Sequence, residues 1–174
     1  MKTLTLLRHA KSSWGDPSRS DFDRPLNDRG RKAARAMGRE MRRLRLAYDL
    51  ILASPAARVT ETLNELAQGY GGAVATVQDE RIYLASPDTL LTLVRAVGDD
   101  LRSLLLVGHN PGMGLLALRL GRPGGLHDLI AAKYPTGALT EIAFEVEHWR
   151  DVAEGTGTLA RFIRPRDLVG EAEG

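Results

Sequence analysis

Two arginines and two histidines draw attention because each follows closely on an apolar run. "LTLLRHAKSS" ends a short Leu/Thr stretch in Arg8-His9; "LILASPAARV" places Arg58 just beyond Ser54-Pro55; "SLLLVGHNPG" releases His109 directly from a Leu/Val run. Arginine offers phosphate oxygens a planar fork of donors that lysine cannot match. Histidine alone among the four can act as a neutral nucleophile near pH 7. It attacks phosphorus through one ring nitrogen while the other keeps its proton on an acceptor. Transfer to His9 divides one hard displacement into two easier ones. Arg8, Arg58 and a protonated His109 then stabilise the equatorial oxygens as charge redistributes. Gathered at one place, these four residues suit a dianionic phosphoryl group. Lys11, Ser12 and Ser13, in the loop behind His9, are candidates for further substrate contacts.

The elements that must bring them together are legible from periodicity and caps. Thr3 to Leu7 reads as a strand apolar on both faces. Asn27 or Asp28 caps a helix with Ala33, Met37, Met41 and Leu44 on one side. "DLILAS" is a second buried strand, and Ser54-Pro55 reads as a side-chain cap followed by a first-turn proline. The helix so opened carries Val59, Leu63, Leu66 and Tyr70, and ends in Gly69 to Gly72. Ala73 to Val77 alternates as a strand would. Ser86-Pro87-Asp88 repeats the capping pattern before Leu90, Val94 and Val97. "SLLLVG" is a third buried strand, followed by an apolar helix from Gly112 to Leu120. After a turn at Gly121 to Gly125, "GALTEIAFEVE" and "GTLARFIR" form a late strand pair. Alternating strands and helices predict an α/β fold: one layered domain over 1–174, with a mostly parallel central sheet flanked by helices. Ligands of such sheets sit beyond the carboxyl ends of the strands. The exits carrying Arg8-His9, Ser54 to Arg58, and Gly108-His109-Asn110 are therefore expected on one edge.

Composition narrows the alternatives. With 43% hydrophobic and 26% charged residues the chain is globular in character, not disordered. Its 24 basic and 22 acidic residues nearly cancel, and the densest basic cluster, Arg39, Arg42, Arg43 and Arg45, shares its helix with Glu40. That is a solvated helix face, so no nucleic-acid partner is expected. The chain has no cysteine, which excludes disulfides, thiolate metal sites and a cysteine nucleophile and fits the cytosol. No His-rich cluster or HExxH stretch suggests a metal, and no cofactor is expected. "GHNPGMG" lacks the lysine of a nucleotide-binding loop. The apolar run before Arg8 is too short for a secretory leader, and none approaches the roughly 18 residues of a membrane span. A cytoplasmic protein with no membrane partner is expected.

In order along the chain, "LLRHAKS", "LNDRGRKAA", "LASPAARVTET" and "LLVGHNPG" resemble the motifs of the histidine phosphatase superfamily. In length and in lacking long inserts the chain is similar to its SixA-type phosphohistidine phosphatases, from Met1 to about Leu168. The resemblance implies a phosphoglycerate mutase-like fold and a metal-independent phosphatase with His9 as the phosphorylated nucleophile. Arg8, Arg58 and His109 would complete the phosphate pocket. Leu26 and Gly30 match the segment opening the first helix, and Thr62 matches a threonine of the second. The implied partner is a phosphorylated protein or a small phosphorylated substrate. The alternatives are a small-molecule phosphomonoesterase of the same superfamily or a non-catalytic phosphate- or phosphopeptide-binding module. A receptor needs neither His9 nor His109, so their joint presence favours catalysis.

Two departures bear on chemistry. Ala10 stands where the family usually has glycine. The long insertion that carries the acidic glutamate of larger members is missing. Glu80, in "VQDERIY", is the nearest candidate acid by position, with Asp79 beside it and water as the third choice; Glu80 reads equally as a solvated strand end. An alkoxide leaving group has a conjugate acid with a pKa roughly like water's 15.7 and needs a proton donor. Imidazole, with a value of about 6.5, needs little help. A missing acid thus favours phosphohistidine or an aryl phosphate. Tyr134 and Thr136 are candidates for the pocket rim or for plain core and turn positions. Trp14 is a candidate for the substrate entrance or for a packing anchor of its loop.

Overall fold

The first apolar run is a strand covered on both faces: Leu4 and Leu6 pack into one core and Leu7 into the other. In the computed structural model, which describes residues 1–72 and 75–168, the chain begins with β1 (Lys2–Arg8), α1 (Asp28–Arg43), β2 (Leu50–Ala53) and α2 (Ala57–Tyr70). It continues through β3 (Val77–Gln78), α3 (Pro87–Arg95), β4 (Ser103–Gly108) and α4 (Gly112–Leu120), then α5 (Gly125–Ala132), β5 (Leu139–Phe144) and β6 (Thr158–Ile163). The sheet order is β3-β2-β4-β1-β5-β6. From β3 to β1 the neighbours are parallel; β5 and β6 add antiparallel pairings at the far side. The mostly parallel character expected from the sequence therefore belongs to the half that bears the strand exits. Helices α1 and α2 cover one face through Met37, Met41, Val59 and Leu66. Helices α3 and α4 cover the other through Leu90, Val94, Met113 and Leu116. Among the described residues no helix is long and apolar enough to cross a membrane.

Local signals account for most element ends. The Asn27 side chain accepts from the Gly30 N–H at 2.8 Å and caps α1. Ser86 accepts from the Thr89 N–H at 3.2 Å, with Pro87 opening α3. Several details differ from expectation. On α1 it is Ala34, with Met37 and Met41, that is buried; Ala33 and Leu44 are only partly covered. Ser54 is not the cap of α2, which starts later, at Ala57, with no side-chain cap. The strand expected at Ala73 to Val77 is the two-residue β3; residues 73 and 74 lie outside the described residues. Helix α5 was not anticipated, because it starts in glycine and has no side-chain cap to announce it.

Helix α1 is clamped between its neighbours by backbone contact. A Cβ on Gly38 would lie 2.1 Å from the Leu66 carbonyl oxygen of α2. One on Gly30 would lie 2.1 Å from the carbonyl oxygen of Lys11, in the loop that follows His9. Only a residue without a side chain allows this approach.

Candidate active site

Parallel register brings the three strand exits side by side. Arg8 pairs with Gly108 and Ala53 with Val107. Just past those pairs the His9 N–H donates to the Gly108 carbonyl and the Ser54 N–H to that of Val107, both at 3.1 Å. Arg58, the second residue of α2, reaches the same edge. The resulting pocket is lined by Arg8, His9, Arg58 and His109 together with Lys11, Ser12 and other loop residues. The His9 and His109 rings lie 5.3 Å apart, centroid to centroid.

His9 Nδ1 donates to its neighbour's carbonyl, Ala10 O, at 2.7 Å, which leaves Nε2 with the lone pair. Arg58 Nε donates to that Nε2 at 3.3 Å, a contact possible only while Nε2 is unprotonated. Burial lowers the pKa of His9 to about 3, with Arg58, His109 and Arg8 adding to the effect against the raising influence of the Ala10 carbonyl. His9 Nε2 is therefore free of a proton at neutral pH. Behind it, the Ala10 N–H donates to Thr62 Oγ1 at 3.0 Å, and Thr62 Oγ1 donates to the Arg58 carbonyl at 2.6 Å. Thr62 thus links the loop that follows His9 to the helix of Arg58. The Ala10 methyl packs with Leu26 and Ala34 in a small cluster of its own, which accommodates the departure from glycine.

The cations are held from outside. Arg8 Nη1 donates to the Tyr134 carbonyl at 2.9 Å, while its Nε is buried without a hydrogen-bond partner. Arg58 Nη1 donates to the Asp21 carbonyl at 2.7 Å and Nη2 to the Asp21 carboxylate at 3.1 Å. Asp21 also accepts from the Tyr83 hydroxyl and from Arg24 Nε at 3.2 Å. The Tyr83 hydrogen bond, then Arg58 and Arg24, hold its carboxyl at about 2 although partial burial opposes them. Arg24 itself donates to Ser12 Oγ at 2.6 Å and stacks on exposed Trp14, 3.5 Å from the ring centroid.

His109 Nε2 lies 2.7 Å from Ser54 Oγ. Burial, then Arg58, lowers its pKa to about 4, with Asp21 opposing. In this state His109 is neutral at pH 7, not the imidazolium expected from the sequence. The two lowered values make a stability prediction. The unfolded chain protonates both rings near 6.5, the folded one only near 3 and 4. Between those limits the unfolded state binds more protons, so stability falls as pH drops. Denaturant titrations from pH 7 to 4.5, above the range where carboxylates dominate, should show a loss of up to about 1.4 kcal/mol per unit for each ring. His9→Ala or His109→Ala should flatten that slope; an equal slope in all three proteins contradicts the burial account.

Of the residues singled out in the sequence, Arg8, His9, Lys11, Ser12, Arg58 and His109 come together, as do Trp14 and Thr136 at the rim. Tyr134 does not line the pocket; its hydroxyl donates to the Leu6 carbonyl at 3.1 Å, inside the core. Glu80 is not brought to the site: it is exposed on a 3₁₀ turn, Glu80–Ile82, and is not among the pocket's lining residues. Asp79 caps that turn and pairs with Arg81 at 2.7 Å, which keeps its carboxyl below the usual range. Asn110, at the third strand exit, lines the pocket too; sequence reasoning passed over Asp21 and Arg24, which also line it, and Tyr83 behind Asp21. Arg24 lies just upstream of the "LNDRG" motif and could have been included with it. Among the described residues no three His, Asp or Glu side chains cluster as metal ligands.

Comparison with known proteins bears on the family. A model of the histidine phosphatase superfamily (branch 1) matches residues 4–82. An uncharacterized protein of Mycobacterium tuberculosis is 35% identical over 165 residues, covering 92% of this chain and all of the relative. A crystal structure of the candidate phosphohistidine phosphatase SixA from Agrobacterium tumefaciens is 31% identical and superposes with a TM-score of 0.78, covering 94% of this chain and 98% of that one. The corresponding SixA candidate of Nakamurella multipartitia is 29% identical with a TM-score of 0.81, over 94% and 96% of the two chains.

Proposed function

The chain belongs to the histidine phosphatase superfamily, in its SixA-type branch, and we propose that it hydrolyses protein-bound phosphohistidine through a phosphoryl-His9 intermediate, without a metal. His9 Nε2 attacks phosphorus as the P–N bond of the substrate breaks; the substrate ring reacts in the form protonated on its other nitrogen, so the electron pair leaves on a neutral imidazole. Arg58 Nε, which now faces Nε2, meets an oxygen of the arriving phosphoryl group. Arg8 and Arg58 supply the positive charge that a metal would otherwise bring. Water then attacks phosphoryl-His9, the P–Nε2 bond breaks, inorganic phosphate departs and the lone pair returns to Nε2. The absence of cysteine supports a cytoplasmic setting.

The observation that carries the substrate class is the state of the pocket's acid. Asp21 is the one carboxylate among the described lining residues, and it is held ionised at about 2 by Tyr83, Arg58 and Arg24. An ionised carboxylate has no proton to give an alkoxide, and exposed Glu80 lies away from the pocket. Phosphohistidine protonated on its other ring nitrogen departs as neutral imidazole and needs no such donor. The test compares kcat/KM for a phosphohistidine protein, an aryl phosphate and an alkyl phosphate, all in EDTA. The first two should be turned over, and the alkyl ester should lag by about 10²–10⁴-fold, the usual worth of a general acid. Alkyl phosphate turned over as fast as phosphohistidine would make the protein a small-molecule phosphomonoesterase. Glu80→Gln should change none of the three rates.

A further inference from the structure

Ser54 sits fully buried at the exit of β2, where the sequence pattern had made it a helix cap. Its oxygen accepts from the Ala56 N–H at 3.3 Å and lies 2.7 Å from His109 Nε2. A hydroxyl brings one hydrogen, and a neutral imidazole brings one on either nitrogen. The contact is therefore compatible with two proton arrangements, and they can be separated by counting partners.

If His109 carries its hydrogen on Nε2, it donates to Ser54 Oγ, which then receives two donors. The serine hydrogen is left without an acceptor among the described residues. His109 Nδ1, buried and without a partner, becomes a bare lone pair. Two buried polar groups are unsatisfied. If the serine donates instead, both bonds of Oγ are used well, Nε2 is the acceptor, and the ring hydrogen sits on Nδ1. Only that N–H lacks a partner within the protein. Buried groups left unpaired are costly, so the second arrangement wins.

We infer that Ser54 is a positioning residue: by donating to His109 Nε2 it fixes that ring as the Nδ1–H tautomer, a neutral donor for an oxygen of the phosphoryl group. The pocket supports this use. Arg8 Nε is the other buried lining donor without a partner, so two unpaired N–H groups belong to one anion pocket. The opposite tautomer would offer phosphoryl oxygens a lone pair and repel them. The ring's charged neighbours are Arg58, Asp21, Arg8 and Arg24, with the rings of His9 and Tyr83 packed against it. Three of those four charges are positive, so the ring is kept from becoming a cation and must work as a neutral donor. Its orientation then depends on the hydroxyl. For its catalytic consequence, though not for the tautomer itself, this inference rests on the phosphatase reading.

The test uses the full chain labelled with ¹⁵N-histidine at pH 7, with the His109 signals identified by their loss in His109→Ala. The wild-type protein should show a protonated Nδ1 and an unprotonated, hydrogen-bonded Nε2. In Ser54→Ala the ring should populate the Nε2–H form, and kcat for an aryl phosphate should fall about tenfold, the scale of one lost hydrogen bond. KM should change less, because a donor to developing charge acts mainly in the transition state. Ser54→Thr, which keeps the hydroxyl, should restore tautomer and rate together. An Nε2–H ring in the wild type overturns the inference, and that spectrum needs no variant to fold. So does a Ser54→Ala protein with unchanged tautomer, or one with altered tautomer and unchanged kcat. Because the rate is read on an aryl phosphate, none of these outcomes depends on phosphohistidine being the natural substrate.

Discussion

His9→Ala should abolish turnover and, with it, the phosphoryl label that the wild-type protein acquires from substrate. The expected drop in kcat is on the order of 10⁴–10⁶-fold, the range seen when a covalent nucleophile is removed. The label on the wild type should be acid-labile and base-stable, as a phosphoramidate is, and should map to His9. The geometry leaves no equivalent replacement. His109 is the pocket's other imidazole, and its Nε2 is engaged with Ser54 at 2.7 Å. His127 and His148 are elsewhere, bonded to Leu118 and Asp99. The variant is expected to fold at pH 7, since it removes a ring that is neutral there. Label or turnover persisting near the wild-type level in His9→Ala would remove His9 from the mechanism.

The second large effect belongs to Arg58. Arg58→Ala should lower kcat/KM by about 10²–10³-fold, as loss of a preorganised oxyanion donor does. Arg58→Lys should recover little of it, because three bonds in three directions converge on the native guanidinium: Nε to His9, Nη1 to the Asp21 carbonyl and Nη2 to its carboxylate. One ammonium cannot span those positions. Asp21→Asn keeps the carbonyl contact and should cost less than either change at Arg58. Combined with Arg58→Lys it should be clearly non-additive, since the two residues act through one interaction. A lysine variant within threefold of wild type would show that the planar fork is not what the reaction uses.

These residues differ in how visible they were before the fold was in hand. Arg8, His9 and His109 could be read because each terminates an apolar strand, and parallel register forces neighbouring strand ends to one edge. Arg58 followed from its place in the first turn of a helix behind such a strand. Asp21 gave no comparable sign. It shares its polar loop with Asp16 and Asp23, no periodicity separates the three, and only the folded path of the loop lays its carboxylate on Arg58. Ser54 was visible but misassigned: serine before proline is the usual opening of a helix, yet here the hydroxyl crosses to a histidine 55 positions away. Glu80 shows the reverse error. Its position, nearest to where larger family members carry their acid, suggested the site, while the 3₁₀ turn it belongs to leaves its side chain exposed.

The glycine contacts along α1 have a mechanical consequence for the reaction. Lys11 O bears on α1 at Gly30, and α1 bears on Leu66 O of α2 at Gly38. From the segment that follows His9 to the helix that carries Arg58, the load path therefore runs through main chain alone. Side chains can yield by changing rotamer; stacked peptide groups are hard stops. A misplacement of only about 1 Å can cost a hundredfold in rate, so an assembly gauged by stops instead of springs suits a displacement that needs His9 and Arg58 in fixed register.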